Sequence, residues 1–543
     1  MEVTAIANSS ASICRSDRGL GFCYDPKIMM FSRKNRICFG RNLRFKNAGI
    51  RVCLNSIGSD LARSEKISGA APTSASRRSK TIDDVRLFVG LPLDAVSDCN
   101  ALKHARAIAA GLKALKLLGV EGVELPVWWG VVEKKAMGNY EWSSYLEIAE
   151  MVQNVGLKLH VSLCFHACKA PKVPLPAWVS QIGEQDPSIY FTDRSGKQYK
   201  ECLSLAVDEL SVLNGKSPLQ VYQDFCESFK SSFSAYMGST ITGISMGLGP
   251  DGELRYPSHH QSPKANNITG VGEFQCYDKN MLTLLKKHAE ETGNPLYGLS
   301  GPHDTPSYDQ SPNTNNFFNE HGGSWETPYG NFFLSWYSNE LITHGNRLLA
   351  LASTTFRLLA LASTTFRDLP VTISGKVPLM HSWYKTRSRP SELTAGFKNG
   401  YEPIVDLFSK NSCKMILPGM DLSDEHQPQG SHSSPELLLE EIKGLCKNHG
   451  VGVSGQNLEF SGAPGRFEQI KKNLLDDNEV VDLFTYQRMG VYFFSPEHFP
   501  KFSEFVRSLN QPELDLDDRR EVPAKSPSLS SEKKGKDVSL QVA

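Results

Sequence analysis

Leu87-Phe88-Val89-Gly90-Leu91-Pro92-Leu93-Asp94 is an apolar run closed by a turn. An unbroken apolar run of this length reads as a strand buried on both faces, which implies a parallel sheet covered by helices. The turn then separates two parallel architectures. An open, doubly wound sheet that binds a nucleotide carries a Gly-rich phosphate loop after its first strand. Leu91-Pro92-Leu93-Asp94 is not such a loop.

Outward from that strand, seven further runs repeat the pattern: Gly122–Trp129, Lys158–His166, Thr240–Gly249, Pro370–Lys376, Cys413–Gly419, Gly452–Gln456 and Val481–Arg488. Helical patterns alternate with them at Ala101–Leu118, Ser143–Val155, Phe274–Glu291, Glu392–Phe397, Pro435–Asn448, Arg466–Leu475 and Pro496–Leu509. Eight such units predict an α/β chain folded as a closed (β/α)8 TIM barrel with long βα-loop insertions. Two more helical stretches, Leu219–Met237 and Phe332–Arg367, place the longest insertions after the third and fourth strands. Within the second of these, Arg347–Phe356 reads RLLALASTTF and Arg357–Phe366 repeats it without change. Ten extra residues add about 2.8 helical turns and rotate the downstream chain by about 80°. The repeat is expected to extend or distort a helix away from the functional face. It does not make a solenoid, which needs three or more longer units.

The barrel accounts for about residues 85–509 of the 543. The chain is 40% hydrophobic and 22% charged, with zero net charge. That is ordinary globular composition and gives no general attraction to nucleic acid or an anionic membrane. The charge is unevenly spread. Through Lys80, fifteen Lys or Arg stand against five Asp or Glu, leaving 44 against 54 in the remainder. This basic, Ser-rich segment has no apolar run fit for a secretory signal or a membrane span. Residues 1–80 therefore read as a plastid transit peptide, or else a disordered leader, and the expected location is the plastid stroma. The leader also lacks zinc-ligand spacing or a heptad run that would make it a nucleic-acid module. Residues 510–543 have few apolar side chains to bury and are expected to be a disordered tail. The twelve cysteines are scattered, four of them in the leader, with no C-x2-C pair. They read as free thiols, and neither a metal nor a cofactor is expected.

In this barrel type, functional residues gather at the C-terminal ends of strands. Here those ends carry Asp94 and Asp98, Trp128 and Trp129, His166, Glu253, Lys376 and His381, Asp421, Gln456 and Asn457, and Arg488. Carboxylates, amides, imidazoles and indoles around one bowl suit a sugar, whose rings stack on aromatic faces and whose hydroxyls pair with polar groups. Any one alone would read as a satisfied structural residue. Eight strand ends bearing them together do not.

Several runs also carry a family resemblance. They are Phe165-His166, Gly247-Leu248-Gly249-Pro250-Asp251-Gly252-Glu253-Leu254-Arg255-Tyr256-Pro257-Ser258, Gly272-Glu273-Phe274-Gln275-Cys276-Tyr277-Asp278, Trp336-Tyr337-Ser338-Asn339 and Glu392-Leu393-Thr394-Ala395-Gly396. Together they resemble plant β-amylase, glycoside hydrolase family 14, from about Arg86 to Leu509. The resemblance implies an inverting exo-hydrolase that releases maltose from the non-reducing ends of α-1,4-glucans. An inverting glycosidase needs one carboxylic acid to protonate the leaving oxygen and one carboxylate to activate water. The resemblance assigns the acid to Glu253. It assigns substrate contacts to His166, Lys376, His381, Asn457 and Arg488. Asp98 matches the family's first-strand aspartate with spacing off by about one residue, and Asp94 is the alternative.

The second carboxylate is missing. The family's base lies in a Gly-Glu-Asn-Ala-Leu run, where this chain reads Gly455-Gln456-Asn457-Leu458-Glu459. Gln456 is an amide and cannot take up a proton at physiological pH. The family's lid glycines and aspartate are absent from His166-Ala167-Cys168-Lys169-Ala170-Pro171-Lys172-Val173-Pro174. The mobile threonine of its inner loop is replaced by Pro418 in Leu417-Pro418-Gly419-Met420-Asp421-Leu422. This pattern resembles the non-catalytic plastid members of the family. The leading reading is a catalytically inactive homologue in starch metabolism, contacting α-1,4-glucan or maltose, or a protein partner among starch enzymes. A weakly active hydrolase using Asp421 or Glu459, and a protein-binding scaffold without glucan, are the alternatives.

Overall fold

The computed structural model describes residues 85–259, 268–362, 371–458, 466–475 and 480–509. The expected leader and tail, together with Glu459, lie outside the described residues. The strands are β1 (Arg86–Gly90), β2 (Gly122–Trp128), β3 (Lys158–Cys164), a short antiparallel hairpin of β4 (Tyr190–Thr192) and β5 (Gln198–Leu203), then β6 (Ile241–Met246), β7 (Thr372–Lys376), β8 (Lys414–Leu417), β9 (Val453–Gln456) and β10 (Val481–Tyr486). All but the hairpin are parallel and close in the order β1-β10-β9-β8-β7-β6-β3-β2. The expected (β/α)8 barrel is therefore the observed fold, and each barrel strand falls inside one of the eight apolar runs except β1, which begins one residue earlier at Arg86.

The strands are less uniform than their composition suggests. Advancing one residue per strand around the closed register returns to the starting residue, so inward side chains stack in layers of four from alternate strands. The lowest of three central layers holds Phe88, His160, Ser374 and Ser454. The middle one holds Glu124, Ser245, Ile416 and Thr485. The upper one holds Gly90, Ser162, Lys376 and Gln456. Bulky branched side chains usually fill such an interior. This one is polar and internally bonded: Ser162 donates to Glu124 at 2.7 Å, and His160 Nε2 lies 3.4 Å from Ser374 Oγ. The apolar residues that made each run conspicuous, such as Val123, Leu125 and Val127, are the alternate ones, buried at 1% exposure or less.

The insertions form a second shell around the acid-bearing loop. Asp278 caps the helix Lys279–Glu291 by accepting from the Asn280 and Met281 amides. The helix Pro328–Ala362 packs its first RLLALASTTF copy inward through Leu348, Leu349, Ala352 and Phe356, all buried, and continues through the second copy to Ala362. From this helix, buried His344 places Nδ1 2.8 Å from Asp208 and Nε2 3.0 Å from the Leu248 carbonyl. Both ring nitrogens face acceptors, so the ring suits an imidazolium. Burial pushes its pKa down, but Asp208 and the two hydrogen bonds outweigh this and raise it. His344 thereby ties the loop leading to Glu253 to the longest helix.

Candidate active-site bowl

The loop after β6 makes a tight turn through Asp251 and Gly252, both at positive φ, and delivers Glu253 to the bowl fully buried. Gly252 is favoured by its φ of 79°, and the space is also tight, since a Cβ there would lie 3.3 Å from the His166 ring. Glu253 Oε2 accepts from Arg255 Nε at 2.8 Å, and Arg255 also binds Asp251 at 2.6 Å. Glu253 Oε1 lies 3.2 Å from Lys376 Nζ, close enough for an ion pair although not aligned as a hydrogen bond. The Leu254 amide donates to the Lys376 carbonyl, so the acid loop is joined to the end of β7.

His166 closes the same side. Its ring meets Trp128 edge-on at 5.4 Å, and its Nδ1 is buried with no hydrogen-bond partner. Burial lowers its pKa to about 4, so it is a neutral imidazole at physiological pH. His381, beyond β7, is likewise pushed down to about 4 by burial and is held by Ser433 Oγ at 2.7 Å. Gln456 ends β9 in the same barrel layer as Lys376, and is 7% exposed. Asn457 donates to the Gln487 carbonyl at 2.9 Å and accepts from its amide at 2.7 Å. Arg488 donates to the Leu91 carbonyl at 2.7 Å, which latches the ends of β10 and β1.

Glu253, Lys376 and His166 thus lie together, Gln456 shares the Lys376 layer, and Asn457 and Arg488 flank Gln487. Asp98 stands apart. Its side chain is 61% exposed, and its carboxylate lies 3.7 Å from Lys134. The alternative, Asp94, is also on the rim and pairs with Lys103 at 3.0 Å. The expectation that Trp128 and Trp129 present ring faces to a sugar is corrected. Both indoles are buried, donating to the Leu93 carbonyl and to Glu133 respectively, with Trp129 packed edge-on against Phe165, Trp178 and Tyr222. Trp128 is the last residue of β2 and Trp129 opens the short helical turn after it, so both rings are taken up by these bonds and by the aromatic packing around them.

The two departures in the loops are structurally fixed. The segment after His166 folds back on itself through paired backbone bonds between Cys168 and Val173, both 2.8 Å. Lys169 anchors it by an ion pair to Glu201 at 2.9 Å. The Ala167 amide also bonds the Glu201 carbonyl on the β4–β5 hairpin, an element the apolar pattern did not reveal. In the inner loop, the Met420 amide donates to the Gln456 carbonyl at 3.0 Å, and Asn473 donates to the Met420 and Leu422 carbonyls. Asp421, the candidate substitute base, is 1% exposed and accepts from the Leu458 amide at 2.7 Å. Glu124, a buried carboxylate on β2, gives no signal in the sequence because it stands among apolar neighbours.

Residues 88–513 match the model of glycosyl hydrolase family 14. Inactive beta-amylase 9 of Arabidopsis thaliana is 55% identical over 543 aligned residues, covering 98% of each chain. Beta-amylase 2, chloroplastic, of Oryza sativa subsp. japonica is 38% identical over 440 residues, covering 79% of this chain and 77% of that one. Among solved structures, the catalytic domain of a β-amylase from Paenibacillus polymyxa superposes with a TM-score of 0.64 at 24% identity. It covers 80% of this chain and all of its own, a likeness of fold alone.

Proposed function

The chain belongs to glycosyl hydrolase family 14, and from that premise we propose that it is a non-catalytic β-amylase homologue of the plastid stroma that contacts α-1,4-glucan in starch metabolism. The observation that carries this reading is Gln456, an amide at the position of the base, in the barrel layer it shares with the lysine that binds Glu253. Inversion needs water activated on the face of the sugar opposite the acid. A neutral amide can orient that water but cannot take its proton. General base catalysis contributes about 10²–10⁴-fold. The inner-loop and post-β3 segments deepen the loss, since both are stitched to neighbouring elements, whereas closure over substrate excludes water and completes a site.

The residues that remain suit binding. His166 offers a buried ring nitrogen with no protein partner, and neutral His381 offers its other nitrogen. Lys376 and Arg488 contribute donors, and Asn457 is held in place by the Gln487 backbone. The name of the Arabidopsis relative supports the inactive reading, and that of the rice relative supports the plastid location, together with the basic leader.

The test is maltose release from soluble starch by the unmodified protein and by Gln456→Glu. Release should be absent, or at least about 10³-fold below that of a typical β-amylase, equivalent to roughly 4 kcal/mol of barrier. Ordinary turnover by the unmodified chain would defeat the reading. Starch pelleting and maltose titration separate glucan contact from a scaffold that binds protein partners only.

A further inference from the structure

Glu124 is a buried carboxylate to which the reading of the bowl gives no task. It lies in the middle barrel layer, directly beneath the layer of Gln456 and Lys376. Ser162 donates to its Oε1 at 2.7 Å, and Gln487 Nε2 donates to its Oε2. Gln487 reaches down from beyond the end of β10 because Gly90 leaves room. A Cβ at Gly90 would lie 2.8 Å from Gln487 Oε1 and 3.2 Å from Arg488 Cβ.

Charge follows the same geometry. Burial pushes the Glu124 pKa up, but Arg488 and the bonds from Ser162 and Gln487 outweigh it and hold the carboxyl below its usual range. The other titratable neighbours leave its charge in place. His160, one layer down on β3, is kept neutral by burial, with a pKa of about 4. Lys376, one layer up, is engaged by Glu253. The middle layer of the barrel thus holds one carboxylate, served by two donors and by the field of Arg488, beneath a neutral amide. A carboxylate at 456 would enter the same narrow axis where Lys376 faces Glu253 and Arg488 is bonded to the Leu91 carbonyl, and a buried charge without its own partner is costly.

We propose that Glu124 is a positioning residue of this bowl: it takes the Ser162 and Gln487 donors, so the floor accepts a carboxylate at position 124 or at position 456 but not at both. The inference rests on the reading of 456 as the base position. It explains how the floor stays electrostatically balanced without a base, and it makes Glu124 a second obstacle to restoring one.

A thermal double-mutant cycle on the full chain at neutral pH tests it, using the unmodified protein, Glu124→Gln, Gln456→Glu and the double variant. Gln456→Glu should melt about 3 °C lower. The double variant should melt well above the sum of the two single shifts, because residues that share partners do not add. Additive shifts would overturn the proposal. If Gln456→Glu does not accumulate as folded protein, recovery in the Glu124→Gln background supports the coupling and failure in both backgrounds overturns it. The cycle does not use maltose release. Starch turnover by the unmodified protein would therefore defeat the functional reading alone, and additivity would defeat the coupling alone.

Discussion

On the proposed reading, Gln456 and Glu253 differ from a catalytic pair by one oxygen-for-nitrogen exchange, yet that exchange is not the whole deficit. Pro418 has no hydroxyl and a fixed φ, and the loop it opens is bonded to Gln456 and Asn473. Gln456→Glu alone is therefore expected to restore little maltose release, since positioning and water exclusion are still lacking. Adding Pro418→Thr and a lid aspartate should give more than the separate gains imply, because groups that act as a unit are non-additive. The readout is kcat/KM on soluble starch, and strictly multiplicative gains would contradict it. Glu253 and His166 were legible in the sequence because each sits in a run that resembles the family, Gln456 because it departs from the family's run at one residue, and Lys376 because it ends an apolar strand run. Glu124 was not, because one carboxylate inside an apolar run gives no periodic signal. Its meaning depends on Gly90 and Gln487, distant in sequence.

Among the elements, the short helix Pro390–Ala395 carries a testable liability. Glu392 is buried, and desolvation raises its pKa to about 8 despite Arg389 at 3.6 Å. A carboxyl raised in the folded state binds more protons there than when unfolded. Its contribution to stability is thus present below the unfolded value of about 4.3 and declines as pH rises toward 8. Glu392→Gln should leave stability near pH 4 almost unchanged and raise it at pH 8 by on the order of 1 kcal/mol or more. Denaturant melts at the two pH values check this, and an equal effect at both would contradict it. The long helix Pro328–Ala362 gives a second test. Its first repeat copy already supplies the buried contacts through Leu348, Leu349, Ala352 and Phe356. Deleting Arg357–Phe366 is expected to leave the melting temperature unchanged or raise it, and a marked drop would show that the second copy belongs to the core. The helix Ser143–Val155 was read from sequence to the residue because its amphipathic period ends at Gly156, which takes the left-handed C-cap. The β4–β5 hairpin was not legible because it has no continuous apolar run, β5 reading Gln198-Tyr199-Lys200-Glu201-Cys202-Leu203, and its role as an anchor for the segment after His166 shows only in the Lys169–Glu201 pair and the Ala167–Glu201 backbone bond.

For the whole molecule, residues 85–509 are proposed to be one folded unit, with the basic leader and the tail as appendages. Limited proteolysis should leave a single large core, and two stable fragments of similar size would refute it. A fluorescent protein carrying only residues 1–80 should enter plastids, and a cytosolic or nuclear signal would count against the leader as an address. The amino-acid order alone determined the closed barrel, since eight buried runs alternating with helices leave parallel pairing with both faces covered as the solution. It also carried the family resemblance, and with it the proposed acid position at Glu253 and the proposed loss of the base at Gln456, because those are matters of residue identity in a specific run. Tertiary structure alone decided which strand residues face the barrel axis, because a run buried on both sides hides its own alternation until the register is closed. It likewise decided that Trp128 and Trp129 are packing residues, that Asp98 pairs on the rim, and that Glu124 lies under Gln456. Each of these depends on which groups from distant strands arrive at the same height in the barrel.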